Sequence, residues 1–204
     1  GYGVDSLSGG WDYIEPVMFA TACGAVIAAI HESRVEPVEG RSVALFHEWM
    51  CGAGLLSLKK LAPGIGTVFT THATMLGRAM AGTGRDIYSN LRNINPANEA
   101  AALNITAKWS LEGTSAREAD VFTTVSPITG EESTVLLGRQ PDVITTNGLD
   151  MRLVPDYSVD RALPVAHRGR IVAAANRFLR CELPATTRIF AISGRYEMHN
   201  KGVD

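Results

Sequence analysis

Apolar positions along this chain fall into short unbroken runs separated by longer stretches of helical spacing, the pattern of buried parallel strands joined by crossover helices. Val43-Ala44-Leu45-Phe46 is the first run, and Thr67 to Thr71, rich in β-branched and aromatic residues, is the second. Between them Met50 to Leu61 places apolar residues on one helical face until Pro63-Gly64 stops it. Val121 to Ser126 and Asp142 to Thr146 read as two further strands, and Arg188 to Ser193 as a fifth. Pro127 suits the first turn of the intervening helix, with Glu131 and Glu132 close behind it, and that helix stops near Gly138. Upstream, Pro16 to Ser33 is apolar on nearly every side, which predicts a helix packed deeply against the sheet. Ala73–Ala81 and Asn98–Ala119 complete the helices, with an irregular polar segment between them through Pro96. The whole predicts an α/β fold, a parallel sheet flanked by helices.

The alternation lapses from Arg152 to His167, where Pro, Asp, Tyr and Ser with mixed charge read as a connection, and Arg170 to Arg180 reads as a linker helix. Three parts are therefore expected: residues 1–151 as a partial first domain, 152–187 as linker and connecting helix, and 188–204 as the start of a second domain. The glycine-rich opening, GYGVDSLSGG, reads as a loop entered from an upstream element, and the last residues stop where the alternation calls for a helix.

Composition narrows the function classes. A hydrophobic content of 46% over 204 residues is ample for a core. The formal charge of −2 and the absence of a basic block give no reason to expect nucleic acid. The longest apolar stretch, Val17 to Ile30, falls short of the ~20 residues that span a bilayer, so a core helix rather than a membrane segment is expected. Cys23, Cys51 and Cys181 show neither disulfide nor zinc spacing, which points to a reducing, cytoplasmic setting.

In a parallel sheet ligands bind outside the carboxyl ends of the strands, and His47 and His72 follow the first two strands. Either ring could hydrogen-bond a sugar hydroxyl; either could equally be satisfied by nearby backbone. Thr70 and Thr71 add two hydroxyls before His72. With no third ligand at motif spacing, the two histidines do not predict a metal. Asn147-Gly148 reads as a tight turn after the fourth strand. Arg195 and Lys201, in a loop bearing Gly194 and Gly202, would suit a diphosphate, whereas an exposed pair of solvated charges is the plainer reading. Neither GxGxxG nor a Walker phosphate loop is present, so dinucleotide-dehydrogenase and kinase readings lose their main support.

Five long runs, FHEWMCGAGL (Phe46–Leu55), TVFTTHATMLGR (Thr67–Arg78), EADVFTTVSPITGEES (Glu118–Ser133), PDVITTNGLD (Pro141–Asp150) and GRYEMHNKGVD (Gly194–Asp204), resemble the eukaryotic-type glycogen synthases, and do so in that family's order. DSLSGGWDYIEP (Asp5–Pro16) is similar to the family pattern too. The resemblance implies a retaining glucosyltransferase of the GT-B type, moving glucose from UDP-glucose to the non-reducing end of an α-1,4-glucan in a cleft between two Rossmann-like domains. It implies no metal and no cofactor besides the donor, and a homo-oligomer for the full-length protein. Carried over residue by residue, His47 would touch the donor glucose near the reacting carbon, and Asn147 would line the same cleft. Arg195 and Lys201 would neutralise the diphosphate, while His72 and Thr71 would lie around the acceptor channel. Thr146 stands where the family usually has proline, and Trp109 where it has histidine. A glucan-binding module that keeps the fold without the activity is the alternative.

Overall fold

The structure, a computed structural model, describes residues 2–35, 40–154, 156, 162–184 and 186–194. Contacts divide the chain at Asn147–Gly148: the sheet and its helices form one compact unit, and Gly148–Tyr196 forms another.

Four strands, β1 (Val43–His47), β2 (Gly66–Thr71), β3 (Val121–Thr124) and β4 (Val143–Ile144), make a parallel sheet in the order β1-β2-β3-β4. Helix α1 (Trp11–Ile30) precedes the sheet and runs into a π-helical turn, His31–Val35. Helix α2 (Glu48–Leu61) joins β1 to β2; α3 (Met75–Gly82), a 3-10 turn at Tyr88–Asn93, α4 (Pro96–Ala102) and α5 (Thr106–Glu118) join β2 to β3; α6 (Pro127–Leu136) joins β3 to β4. The expected α/β fold is therefore present.

Side-chain alternation assigns the two faces of the sheet. Phe46, Phe69 and Phe122 are in register across β1, β2 and β3 and lie buried, sharing a core with Tyr13, Trp49, Leu55, Leu58 and Leu111. One position earlier, Leu45, Val68 and Val121 form the row on the opposite face, where Val43 and Leu45 are each 63% exposed. A second core of Leu76, Met80, Ile87, Leu91, Ala100 and Leu136 gathers α3, the 3-10 turn, α4 and α6. Trp109 packs against both, and its indole N–H donates to the Leu136 carbonyl at 2.7 Å, so the large ring here has a structural task.

The amino ends of the strands are fastened by aspartates. Asp120 accepts hydrogen bonds from the Thr67 backbone N–H and hydroxyl and pairs with Lys59 at 2.8 Å; Asp142 accepts from the Phe122 N–H and pairs with Arg139. The Lys59 ammonium, with the Thr67 donors, lowers the Asp120 pKa to about 2.

Several elements differ from the sequence expectation. Helix α1 starts five residues before Pro16 and buries only Tyr13, Ala20 and Gly24, leaving Trp11, Met18, Phe19, Val26 and Ile30 exposed. Small residues bring it against α2: a β-carbon on Gly24 would sit 2.6 Å from the Gly54 carbonyl oxygen, and one on Gly54 2.6 Å from that of Ala20. Together with its π-helical turn the segment Trp11–Val35 has 25 residues, long and apolar enough to cross a membrane by length and composition, which removes the length argument against a span. The helix read over Asn98–Ala119 is two helices, because Asn104 takes a left-handed φ of +55° after α4. β3 ends at Thr124, where the Ser126 hydroxyl caps α6, and β4 has two residues rather than five. Asn147-Gly148 forms no turn and is exposed irregular chain. In the second unit, helix α7 (Ala162–Leu179) begins well before Arg170, and Arg188–Ser193 is irregular rather than a strand, with no strand partner among the described residues.

Candidate functional site at the carboxyl edge of the sheet

Parallel pairing puts the carboxyl ends of β1, β2 and β4 on one side of the sheet, and with them His47, His72 and the segment leading to Asn147. His47 is the last residue of β1, paired with Thr70, and its outward-pointing register exposes the ring. His72 follows β2 directly. The two imidazoles meet, His47 Nδ1 lying 3.1 Å from His72 Nε2 with ring centroids 5.3 Å apart, so one ring donates to the other. Thr70 and Thr71 are the last two residues of β2. Thr70 shares a hydrogen bond with Thr123, and Thr71 is fully buried with its hydroxyl unpartnered. Arg195 and Lys201 lie outside the described residues.

Behind the histidines, three carboxylates converge on the loop from His72 to Met75. Glu48 accepts the His72 N–H at 3.0 Å, Glu112 accepts the Met75 N–H at 2.7 Å, and Glu132 accepts the Thr74 hydroxyl. Each comes from a different helix, α2, α5 and α6. Thr74 caps α3 by accepting the Gly77 N–H, so the loop presents the positive end of a helix to these acids. A β-carbon at Gly77 would overlap the Glu132 carboxylate, which explains the glycine there. Glu132 also accepts the Tyr88 hydroxyl at 3.0 Å. Burial and the neighbouring Glu132 carboxylate push the Tyr88 pKa up to about 12.

Glu112 is completely buried, and its second oxygen has no partner. Loss of hydration raises its pKa to about 8, the Met75 N–H opposing and the Glu48 and Glu132 charges adding to the shift. Arg78 lies 3.9 Å from Glu48 and offsets part of the negative charge.

Strand-end position was enough to pick out His47 and His72. Glu48, Glu112 and Glu132 were missed as a group; the available signal was a carboxylate set inside an apolar helical face, as Glu112 is between Ala107, Leu111 and Ala116. A groove lined by Tyr88, Arg92, Glu131 and Gln140 contains none of the predicted site residues.

Comparison with known proteins bears on what such an edge serves. The family model for glycogen synthase matches residues 15–204. The chain is 39% identical over 171 residues to the glycogen [starch] synthase of Dictyostelium discoideum, an alignment covering 79% of this chain and 19% of that protein. Against the liver glycogen [starch] synthase of Homo sapiens it is 39% identical over 166 residues, covering 79% and 24%. Against that of Rattus norvegicus it is 36% identical over 186 residues, covering 89% and 26%. It thus spans about a fifth to a quarter of the length of these relatives. A match running through both histidine loops and every strand of the sheet places the chain in the glycogen synthase family.

Proposed function

We propose that this chain forms one side of a retaining glucosyltransferase site that moves glucose from UDP-glucose to the non-reducing end of an α-1,4-glucan. The observation that carries the reading is the hydrogen-bonded His47–His72 pair on the ligand edge of a parallel sheet, in a chain of the glycogen synthase family. His47 meets the donor glucose beside the reacting carbon, and Asn147 lines the same cleft. His72 and Thr71 belong to the acceptor side, Thr71 from beneath the surface, since its side chain is buried. Arg195 and Lys201 neutralise the UDP diphosphate as it departs, an interaction that strengthens in the transition state. The donor needs no metal or further cofactor in this scheme. The setting is cytoplasmic, and the longer protein is a homo-oligomer.

Alone, the chain transfers glucose negligibly, because such a cleft draws transition-state contacts from two domains and each ~1.4 kcal/mol of missing stabilisation costs tenfold in rate. The test is incorporation of labelled glucose into glycogen by the 204-residue chain and by a protein of the relatives' length carrying it. In the longer protein His47→Ala and Lys201→Ala each lower turnover with UDP-glucose and leave the fold intact. Robust turnover by the chain alone would show the site to be misplaced, and wild-type rates in both variants would remove the roles given to them. Calorimetric titration with UDP-glucose and with maltooligosaccharide separates the alternative: glucan binding by the longer protein without nucleotide affinity would favour a binding module.

A further inference from the structure

We propose that Glu48 is a positioning residue that sets the geometry of the His47–His72 pair. Its backbone is the first indication. Glu48, the first residue of α2, has φ +65°, in the left-handed region, directly after the extended His47. A glycine takes that conformation freely and a residue with a β-carbon does not, so glutamate here calls for a task of its side chain. Strain of this kind collects where a side chain must be aimed.

The side chain supplies that task. From the turn after β1 the carboxylate reaches the loop after β2, where one oxygen accepts the His72 backbone N–H at 3.0 Å and the other lies 3.9 Å from the Arg78 guanidinium. His72 returns the link through its ring, 3.1 Å from that of His47. The four groups close a circuit: His47 is bonded to Glu48, Glu48 holds the His72 main chain, and the His72 ring meets His47. Without the carboxylate, the two loops would share the neighbouring strands and the ring contact alone. With it, the His72 backbone cannot drift from His47, and the two imidazoles are held to complementary tautomers, one donating where the other accepts. Because His47 turns Nδ1 toward His72, its Nε2 is the ring nitrogen left to meet a ligand. The effect on turnover rests on the glucosyltransferase reading above; the effect on the rings does not.

The experiment therefore reads the rings first. Long-range 15N–1H NMR of the 204-residue chain, unsubstituted and with Glu48→Gly or Glu48→Gln, reports the tautomer of each histidine, and a thermal melt reports the fold. The unsubstituted chain shows the complementary tautomers of a hydrogen-bonded pair, with one of His47 Nδ1 and His72 Nε2 protonated and the other not. Glu48→Gly relaxes the strained backbone, so its melting temperature holds or rises, yet both rings revert to the mixture of free imidazoles. Glu48→Gln keeps an acceptor for the His72 N–H and keeps the pair. In a protein of the relatives' length, Glu48→Gly lowers kcat with UDP-glucose by about ten- to a hundredfold while KM changes little, and Glu48→Gln restores most of it. Wild-type ring signals in Glu48→Gly would overturn the positioning role, as would equal loss of the pair in Glu48→Gln. Should Glu48→Gly not fold, Glu48→Ala read against Glu48→Gln carries the same comparison. If the pair is lost while turnover stays at the wild-type rate, the link to the reaction falls. An unsubstituted longer protein that transfers no glucose counts against the functional reading alone, since the ring signals are read on the chain itself.

Discussion

Glu112 sits in the core with one oxygen on the Met75 N–H and the other on nothing, an arrangement that only the neutral carboxyl tolerates well. Its pKa, raised by burial to about 8 from an ordinary 4.5, makes the folded state bind a proton that the unfolded chain has already released in that interval. The stability it contributes is thus complete below about pH 4.5 and is lost as pH rises through 8. Glu112→Gln keeps an acceptor for Met75 and cannot ionise, so its melting temperature should stay level between pH 6 and 9 while that of the unsubstituted chain falls. Parallel melting curves would refute the assignment of a buried neutral Glu112. At this scale the sequence disclosed the histidines because a polar residue ending an apolar strand has a fixed address in an α/β fold. The acids were hidden because a glutamate in a helix ordinarily marks the solvent face. What reverses that reading for Glu112 and Glu132 is the loop packed against them, which no local pattern contains.

Among the elements, α1 and α2 come backbone to backbone at Gly24 and Gly54, where the two helices cross. Gly54→Ala would drive a methyl to 2.6 Å from the Ala20 carbonyl oxygen, a backbone atom that moves only with its helix. Overpacking of this kind costs about 1–3 kcal/mol, and the urea midpoint should fall accordingly with the slope unchanged. Gly64→Ala is the control: nothing lies within 4 Å of its added carbon, so its midpoint should hold or rise. Equal midpoints for the two variants would mean that α1 yields at this crossing. The first three strands were legible because short runs rich in apolar and β-branched residues between helical patterns favour buried strands; Arg188–Ser193 has the same pattern and forms none. Helix α1 was legible as a helix but not in its burial, since an apolar residue carries no information on whether a partner covers it. The break at Asn104 was missed because Leu103, Ala107 and Leu111 keep helical spacing across it, and a single left-handed residue is invisible to periodicity. At β4 the pattern DVITT promised five residues, and pairing with β3 extends over two.

Taken whole, the sheet unit has two outer strands, β1 and β4, each with one strand neighbour among the described residues, and part of one face is exposed. Among the described residues β1 has no strand neighbour besides β2, and Val43 and Leu45 stand 63% exposed on it. Val121 and Val143 lie on the same face at 36% and 51% exposure, whereas Thr70 and Thr123 on it are buried. An edge strand bearing apolar side chains is a template for a strand from another chain, because pairing satisfies the backbone in the same step that buries the side chains. We therefore expect the 204-residue chain in isolation to self-associate through β1 of two copies. Covering the exposed part of Val43 and Leu45 in each copy returns at most roughly 1–2 kcal/mol per side chain. Lost translational and rotational freedom opposes it by about 4–15 kcal/mol. Gain and cost nearly cancel, so the complex should be weak and visible only as a concentration-dependent shift in sedimentation velocity. The apolar face of α1 competes as the contact, but its backbone is already satisfied within the helix and offers no directional bonds. Val43→Lys with Leu45→Lys should abolish the shift, whereas Met18→Lys with Phe19→Lys should leave it in place. Both substituted pairs lie at exposed positions, so far-ultraviolet circular dichroism should be unchanged. Loss of association in the α1 variant alone would move the contact to that helix, and a single sedimenting species at every concentration would show that the open edge of β1 does not recruit a second copy.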